Sequence, residues 1–374
     1  MAMQTISVDH VASCLTPCGL GASVHLSPAI IAEEGYAVAV RVLEEKDTYN
    51  QVETVGGALH RLTVGDVLVG PLGERQALKG YSGSIPEEVS VGDVVHVLNM
   101  GGMVGICTSA HPDLGPALRV EVLGAVCTAA GASARPVALK DHAVAPVDDL
   151  PSCAPLVLVS GTAMNTGKTY AACKLIHGLT ERGLRVAAIK LTGATLQRDV
   201  AAMASHGAVA TASFTDAGVV STTSKDTPSL AKGLLAAFQA DAPDAIVAEL
   251  GDGVIGPYGV DQLLLDPDLQ QHTAAHVVAA SDLAGAWAVH HLFQTRYEQS
   301  IAAFTGPVTD NAVGCAYLQQ TLGTPGCNAL HNPEALAQTV YGALSAVTAP
   351  PAPTPVAAPT LDAIPSYPTM PCLP

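Results

Sequence analysis

The chain has 374 residues, 49% hydrophobic but only 13% charged and 4% aromatic, which calls for at least two folded domains with interiors built from Ala, Val and Leu. With 17 Lys and Arg against 33 Asp and Glu, its formal charge of −16 repels a polyanionic backbone and argues against nucleic acid as a partner. The first residues lack the basic-then-apolar order of a signal peptide and no run reaches the roughly 18 apolar residues of a membrane span, so the expectation is a cytoplasmic protein that engages no membrane.

Residues 1–148 are rich in Val, Gly and Thr and read as a β-rich, barrel- or sandwich-like N-terminal domain. Tyr36-Ala-Val-Ala-Val-Arg-Val42 is a strand whose side chains alternate between two faces. Thr63-Val-Gly-Asp-Val67 and Ser90-Val-Gly-Asp-Val94 repeat one pattern, a Gly-Asp turn before a strand. Gly80 to Pro86 is a loop by composition, and Asn99-Met-Gly-Gly-Met-Val-Gly105 is a flexible segment that serves either tight turns or close approach to a ligand. Cys14 and Cys18, with His10 and His25 nearby, make a four-ligand zinc set or, more simply, buried thiols from one short segment. The nine cysteines lack the spacing of a disulfide scaffold and read as mostly reduced.

Three prolines and two acids in Pro146–Pro155 mark a connector, and residues 149–344 then alternate between strand and helix signals. Leu156–Val159, Leu184–Ile189, Ala245–Ala248, Val277–Ala280 and Ile301–Phe304 are predicted strands and Thr169–Arg182 a helix, the order of a doubly wound, mostly parallel α/β sheet. Residues 345–374, mostly Ala and Pro, form an extended tail in which Tyr367–Pro374 is a candidate docking peptide.

Within the second domain, Leu156-Val-Leu-Val-Ser-Gly-Thr-Ala-Met-Asn-Thr-Gly-Lys-Thr169 runs a strand into a Gly-Lys-Thr turn at the start of a helix. Free N–H groups of such a turn converge on a phosphate, here with the charge of Lys168 and with Thr169 as a Mg²⁺ ligand. The nucleotide-binding set is therefore Gly161, Thr162, Asn165, Thr166, Gly167, Lys168, Thr169 and Tyr170. Thr162 occupies the position where the common motif has its first glycine, which is displaced to Gly161. In Ala245-Ile-Val-Ala-Glu-Leu-Gly-Asp-Gly253 an apolar strand ends at Glu249, the second expected Mg²⁺ ligand, with Asp252 a turn residue or a further acid. Late in the domain, Asp310 and Asn311 follow a Gly-Pro turn, where Asn311 or Asp310 reads the base or substrate, or Asp310 simply caps a helix. His290 and His291 point in different directions on a helix-like stretch and read as surface or core-edge residues.

The segment Gly161–Thr169 resembles the displaced-glycine P-loop of dethiobiotin synthetase and of the cobyrinate and cobyrate amide synthases, and Glu249–Gly253 resembles the magnesium-binding segment of that group. The resemblance spans about 150 to 340 and implies a P-loop fold with ATP and Mg²⁺. By the same resemblance Lys190, in Ala188-Ile-Lys-Leu-Thr-Gly193, is a catalytic residue alongside Lys168, although Leu191 replaces the family's proline. The extra lysine of partition ATPases would fall at Ala163 and is absent, which speaks against their swapped dimer; another homo-oligomer stays open. A weaker similarity, through Phe214-Thr-Asp-Ala-Gly218, is to P-loop D-glutamate N-acetyltransferases and implies coenzyme A on the loop and Asp216 near substrate.

The expected activity is Mg-ATP-dependent phosphoryl transfer to a small-molecule carboxylate or carbamate, as in a ligase or synthetase. The alternatives are a nucleotide-dependent switch or cofactor-assembly NTPase, and a coenzyme A-dependent acyltransferase.

Overall fold

The computed structural model describes residues 4–131 and 134–348. In the N-terminal domain a nine-stranded, mostly antiparallel sheet runs through His10–Val11, Val67–Pro71, Ala37–Val42, Leu118–Cys127, Val94–Val97, Val104–Ala110 and Tyr81–Ser84. Gln4–Ser7 pairs with Ser23–Ser27, which joins the far end of Leu118–Cys127. Beyond Pro71 the chain bridges from Leu72 to Val104 and from Arg75 to Gly83, so the path curls back on itself as a small barrel. Along Ala37–Val42 the predicted alternation holds with both faces buried except at Arg41: Val38, Val40 and Val42 join Leu68, Val104 and Val120 in one core, and Ala37 and Ala39 join Val24, Leu26 and Val126 in another. The repeated turns are built alike, because Asp66 accepts the Thr63 N–H at 2.8 Å and Asp93 accepts the Ser90 N–H at 2.7 Å. Each then enters a strand of the same sheet.

In the second domain the strands are β1 (Leu156–Gly161), β2 (Val186–Thr192), β3 (Ala210–Ser213), β4 (Ala245–Leu250), β5 (Thr273–Ala279) and β6 (Ala303–Thr305). They form one sheet in the order β3-β2-β4-β1-β5-β6, parallel throughout. The main helices are α1 (Lys168–Thr180), α2 (Arg198–Ser205), α3 (Thr227–Ala237), α4 (Val260–Leu265), α5 (Pro267–His272), α6 (Leu283–Leu292), α7 (Ala312–Thr321) and α8 (Pro333–Thr348). Two apolar layers cover the sheet, one containing Leu156, Leu158 and Ile189, the other Val157, Val159 and Ala188. That is why these strands read as continuous apolar runs. From β1 the chain winds one way to β2 and β3 and later the other way to β5 and β6, which opens a crevice at the carboxyl end of β1.

Three expectations change. Gly80–Pro86, read as a loop, contains the strand Tyr81–Ser84, because it pairs with Val104–Ala110. The connector packs onto the second domain, with Lys232 donating to the Asp148 carbonyl at 2.8 Å and the Leu150 N–H donating to Asp268 at 3.2 Å. Residues 345–348, assigned to the tail, continue α8 because its apolar face stays buried through Leu344 against α1. The remaining tail, with Tyr367–Pro374, lies outside the described residues. Among the described residues no helix is long and apolar enough to cross a membrane.

Across the seam, Glu53 of the N-terminal domain is fully buried and accepts the N–H groups of Gln197 and Arg198, both at 2.6 Å, at the start of α2. Asn99 Nδ2 donates to the Thr195 carbonyl at 2.8 Å, and Gly101 lies so close that a Cβ would sit 1.9 Å from the same oxygen. The 99–105 segment therefore makes a close approach to the backbone of the second domain at Thr195.

Candidate phosphate-binding site

At the end of β1 a Cβ on Gly161 would lie 2.5 Å from Thr166 Oγ1 and 2.8 Å from the Ala279 carbonyl, so only glycine fits. One residue on, Thr162 takes a structural part: its N–H donates to the Ala279 carbonyl at 3.0 Å and its hydroxyl accepts the Ser281 N–H at 3.2 Å. The displaced glycine is thus a packing requirement of this loop. Asn165 and Gly167 turn the chain with φ of +59° and +91°, and α1 begins at Lys168.

Lys168 is only 6% exposed and donates to the Ala163 carbonyl at 2.7 Å. Burial pulls its pKa down to about 8, against the opposing pull of Glu249 and Asp252. Thr169 Oγ1 donates to Glu249 Oε1 at 2.9 Å; Glu249 is 2% exposed and its Oε2 has no hydrogen-bond partner among the described residues. Burial raises the Glu249 pKa, opposed by Lys190 and Lys168. A hydroxyl and a carboxylate with an orphaned buried oxygen are hard donors suited to Mg²⁺.

Lys190, on β2, is buried and ion-paired with Asp199 of α2. Burial works against its charge, but Asp199 and Glu249 together outweigh it and raise its pKa. Asp252 adopts φ of +69° between two glycines pressed on backbone, Gly251 against Thr192 and Gly253 against Thr162. Its carboxyl is raised by burial, with Lys168 and Arg75 acting the other way.

Lys168, Lys190, Glu249 and Asp252 line a cavity of about 600 Å³ between the domains, with Asn165, Gly167, Thr169 and Tyr170 on the loop side and Tyr49, Arg75 and Asn99 on the other; Gly161 and Thr162 do not reach it. A second cavity of about 280 Å³ lies behind the loop, where Thr166 and Tyr170 face Gly306, Asp310 and Asn328. Asn311 is not brought to either. Its Oδ1 accepts the Val313 and Gly314 N–H groups and caps α7, so Asn311 rather than Asp310 is the cap and the base-reading assignment fails on geometry. Asn328 lines the second cavity instead, with Nδ2 donating to Thr309 and Asp310 at 3.0 Å each. No motif announced it. Arg75 was missed for the same reason.

Elsewhere, Asp216 accepts the Ser213 N–H at 2.8 Å and closes a capping box on Phe214–Ala217, away from both cavities. His10 bonds Asp66 and His25 bonds Thr5, while burial raises Cys14 to about 12 and Cys18 to about 11. Among the described residues no three His, Cys, Asp or Glu are grouped to hold a metal, so the zinc set is not assembled. His291 stacks on Trp287, with ring centroids 5.5 Å apart.

No family model and no curated protein matches the chain. Solved structures similar to it include the signal recognition particle receptor FtsY from Elizabethkingia anophelis, at 12% identity over 54% of this chain and 69% of that chain with a TM-score of 0.35. The cell division protein FtsY from Thermotoga maritima is 13% identical over 53% and 70%, with a TM-score of 0.33. The signal recognition particle 54 kDa protein from Aeropyrum pernix K1, solved in complex with GDP, is 16% identical over 53% of this chain and 49% of that one, with a TM-score of 0.33. These are distant likenesses over about half the chain and leave its family unassigned.

Proposed function

We propose that the protein binds a Mg-nucleoside triphosphate, ATP by preference, on the Lys168 loop and transfers its terminal phosphoryl group to a small acceptor in the interdomain cavity. The observation that carries this reading is the Thr169–Glu249 hydrogen bond with its orphaned Oε2, beside a buried Lys168 and in front of a roofed cavity large enough for a second molecule. Mg²⁺ would be held by Thr169 and Glu249 and would neutralise phosphate charge there. Lys168, charged below about pH 8, supplies a positive charge and gives up its bond to Ala163 for a phosphate oxygen. Lys190, kept charged and oriented by Asp199, faces the acceptor region. The second cavity takes the base, and the N-terminal wall limits access of bulk water.

A nucleotide-dependent switch is the second reading, favoured by the grip of Glu53 on the start of α2, because Arg198 and Asp199 of that helix also line the cavity. Calorimetric titration of ATP, GTP and acetyl-coenzyme A, with and without Mg²⁺, into the unaltered protein and Lys168→Ala tests the site. Magnesium-dependent nucleotide binding lost in the variant supports it; tight acetyl-coenzyme A binding without Mg²⁺ favours an acyltransferase instead. Phosphate release stimulated by small acids favours transfer, and stimulation by a protein favours the switch.

A further inference from the structure

We infer that Arg75 marks a second anion subsite, on the N-terminal domain's wall of the cavity, that takes a small acceptor bearing a carboxylate or phosphate group. The acceptor's role rests on the phosphoryl-transfer reading above; its charge does not.

Arg75 is only 5% exposed, yet its partners are neutral. Nη1 donates to the Leu98 carbonyl at 2.8 Å and to the Tyr49 hydroxyl at 3.3 Å, Tyr258 supplies a second phenol, and Nε has no hydrogen-bond partner among the described residues. Asp252 is near enough for the two charges to influence each other, but among the described residues no carboxylate forms an ion pair with Arg75. A guanidinium does not shed its proton, so burial without a counter-ion is costly unless an anion arrives.

The setting of the side chain is built rather than incidental. Backbone hydrogen bonds between Arg75 and Gly83, at 2.9 and 2.8 Å, fix its root where the barrel closes. A Cβ on Gly80 would lie 2.8 Å from Nη2, so a glycine makes room for the guanidinium. Its orientation is therefore set before any ligand binds.

Charge balance points the same way. In a chain of net charge −16, five cationic side chains and three carboxylates line this cavity. Lys190 and Arg198 lean on Asp199, and Glu249 belongs to the metal position. That leaves Asp252, the third carboxylate, shared between two positive poles: Lys168 on the loop, and Arg75 with Lys79 on the opposite wall. A Mg-nucleotide answers the first. The second fits an oxyanion, for which a guanidinium fork is the suited donor.

The test is calorimetric titration of succinate, and separately of glycerol phosphate, into unliganded protein, with a parallel titration of Mg²⁺ and a non-hydrolysable ATP analogue. Arg75→Leu, Arg75→Lys and Lys168→Ala are compared with the unaltered chain. At least one anion is expected to bind saturably, about tenfold or more weaker in Arg75→Leu, and unchanged in Lys168→Ala, while Arg75→Leu leaves the Mg-nucleotide affinity intact. Arg75→Lys keeps the charge but not the fork and weakens binding part-way, which preserves the test if the leucine variant does not fold. The arm that binds distinguishes a carboxylate from a phosphate acceptor. No saturable binding of either anion, binding indifferent to Arg75, or an equal loss of Mg-nucleotide in Arg75→Leu overturns the subsite. Failure of the nucleotide to bind the unaltered protein sinks the phosphoryl-transfer reading and leaves the anion result standing.

Discussion

Thr169 Oγ1 donates to Glu249 Oε1 at 2.9 Å, tying the first turn of α1 to the tip of β4. The contact follows from sheet order, since β4 lies directly beside β1 with Val159 opposite Glu249. If these two groups hold Mg²⁺, Thr169→Val and Glu249→Gln each reduce the magnesium-dependent part of nucleotide affinity by about tenfold or more, with little change without metal. Nucleotide titrations with Mg²⁺ and with a chelator check this, and a Thr169→Val protein with undiminished magnesium dependence would remove the metal position.

Lys168 gives a pH signature. Its pKa in the folded protein is about 8, against 10.5 for the ordinary ammonium, because burial disfavours the charge. Phosphate affinity therefore falls as pH rises through about 8, and Lys168→Ala removes that limb. For stability the sign is opposite to that of a paired lysine. Between the folded and unfolded values the unfolded chain binds more protons, so this residue makes stability rise with pH across that window. Below it the penalty is fully present, about 3 kcal/mol as an order of magnitude. Lys168→Met is expected to unfold at higher denaturant than the unaltered protein at neutral pH, with the gap closing toward pH 10.5.

The phosphate loop was legible because strand, loop and helix are local and the chemistry needs Lys168 and Thr169 adjacent. The predicted strand Leu156–Val159 lies within β1, and Ala245–Ala248 within β4, since strands covered on both faces are apolar without interruption. β3 escaped notice because Ala210-Thr-Ala-Ser213 is a short edge strand with little apolar signal. Asn328 and Arg75 were illegible for another reason: each reaches its cavity by tertiary placement, Asn328 beyond the last strand and Arg75 from the other domain. Asn311 shows the reverse error, a suitable residue in a suitable loop whose side chain is spent on a helix end.

The second cavity is testable apart from the first. Asp310 is held by Asn328, whose Oδ1 also accepts the Leu330 and His331 N–H groups, both at 2.8 Å. If the base lies there, Asp310→Ala weakens ATP several-fold and leaves inorganic tripolyphosphate unchanged, since tripolyphosphate has no base. Asn328→Ala does the same and also costs about 2 kcal/mol or more of stability, because it strips acceptors from backbone donors. Equal weakening of ATP and tripolyphosphate would put the base elsewhere.

The seam between the domains should control the site from a distance. Glu53 accepts the Ser13 hydroxyl and the N–H groups of Gln197 and Arg198, and a carboxylate at the start of α2 also complements the positive end of the helix dipole. Glu53→Ala leaves those donors without an acceptor in a buried interface, a loss of about 3 kcal/mol or more. Gly101→Ala reaches the same seam sterically, because its Cβ would lie 1.9 Å from the Thr195 oxygen. Trp287, the chain's single tryptophan and part of α6, reports unfolding of the second domain by fluorescence. Both variants are expected to lower its denaturant midpoint. They should also reduce phosphate release, because α2 carries the Asp199 that holds Lys190 in the cavity wall. If the midpoint and the rate stay unchanged in Glu53→Ala, the two domains fold independently and the grip on α2 transmits nothing.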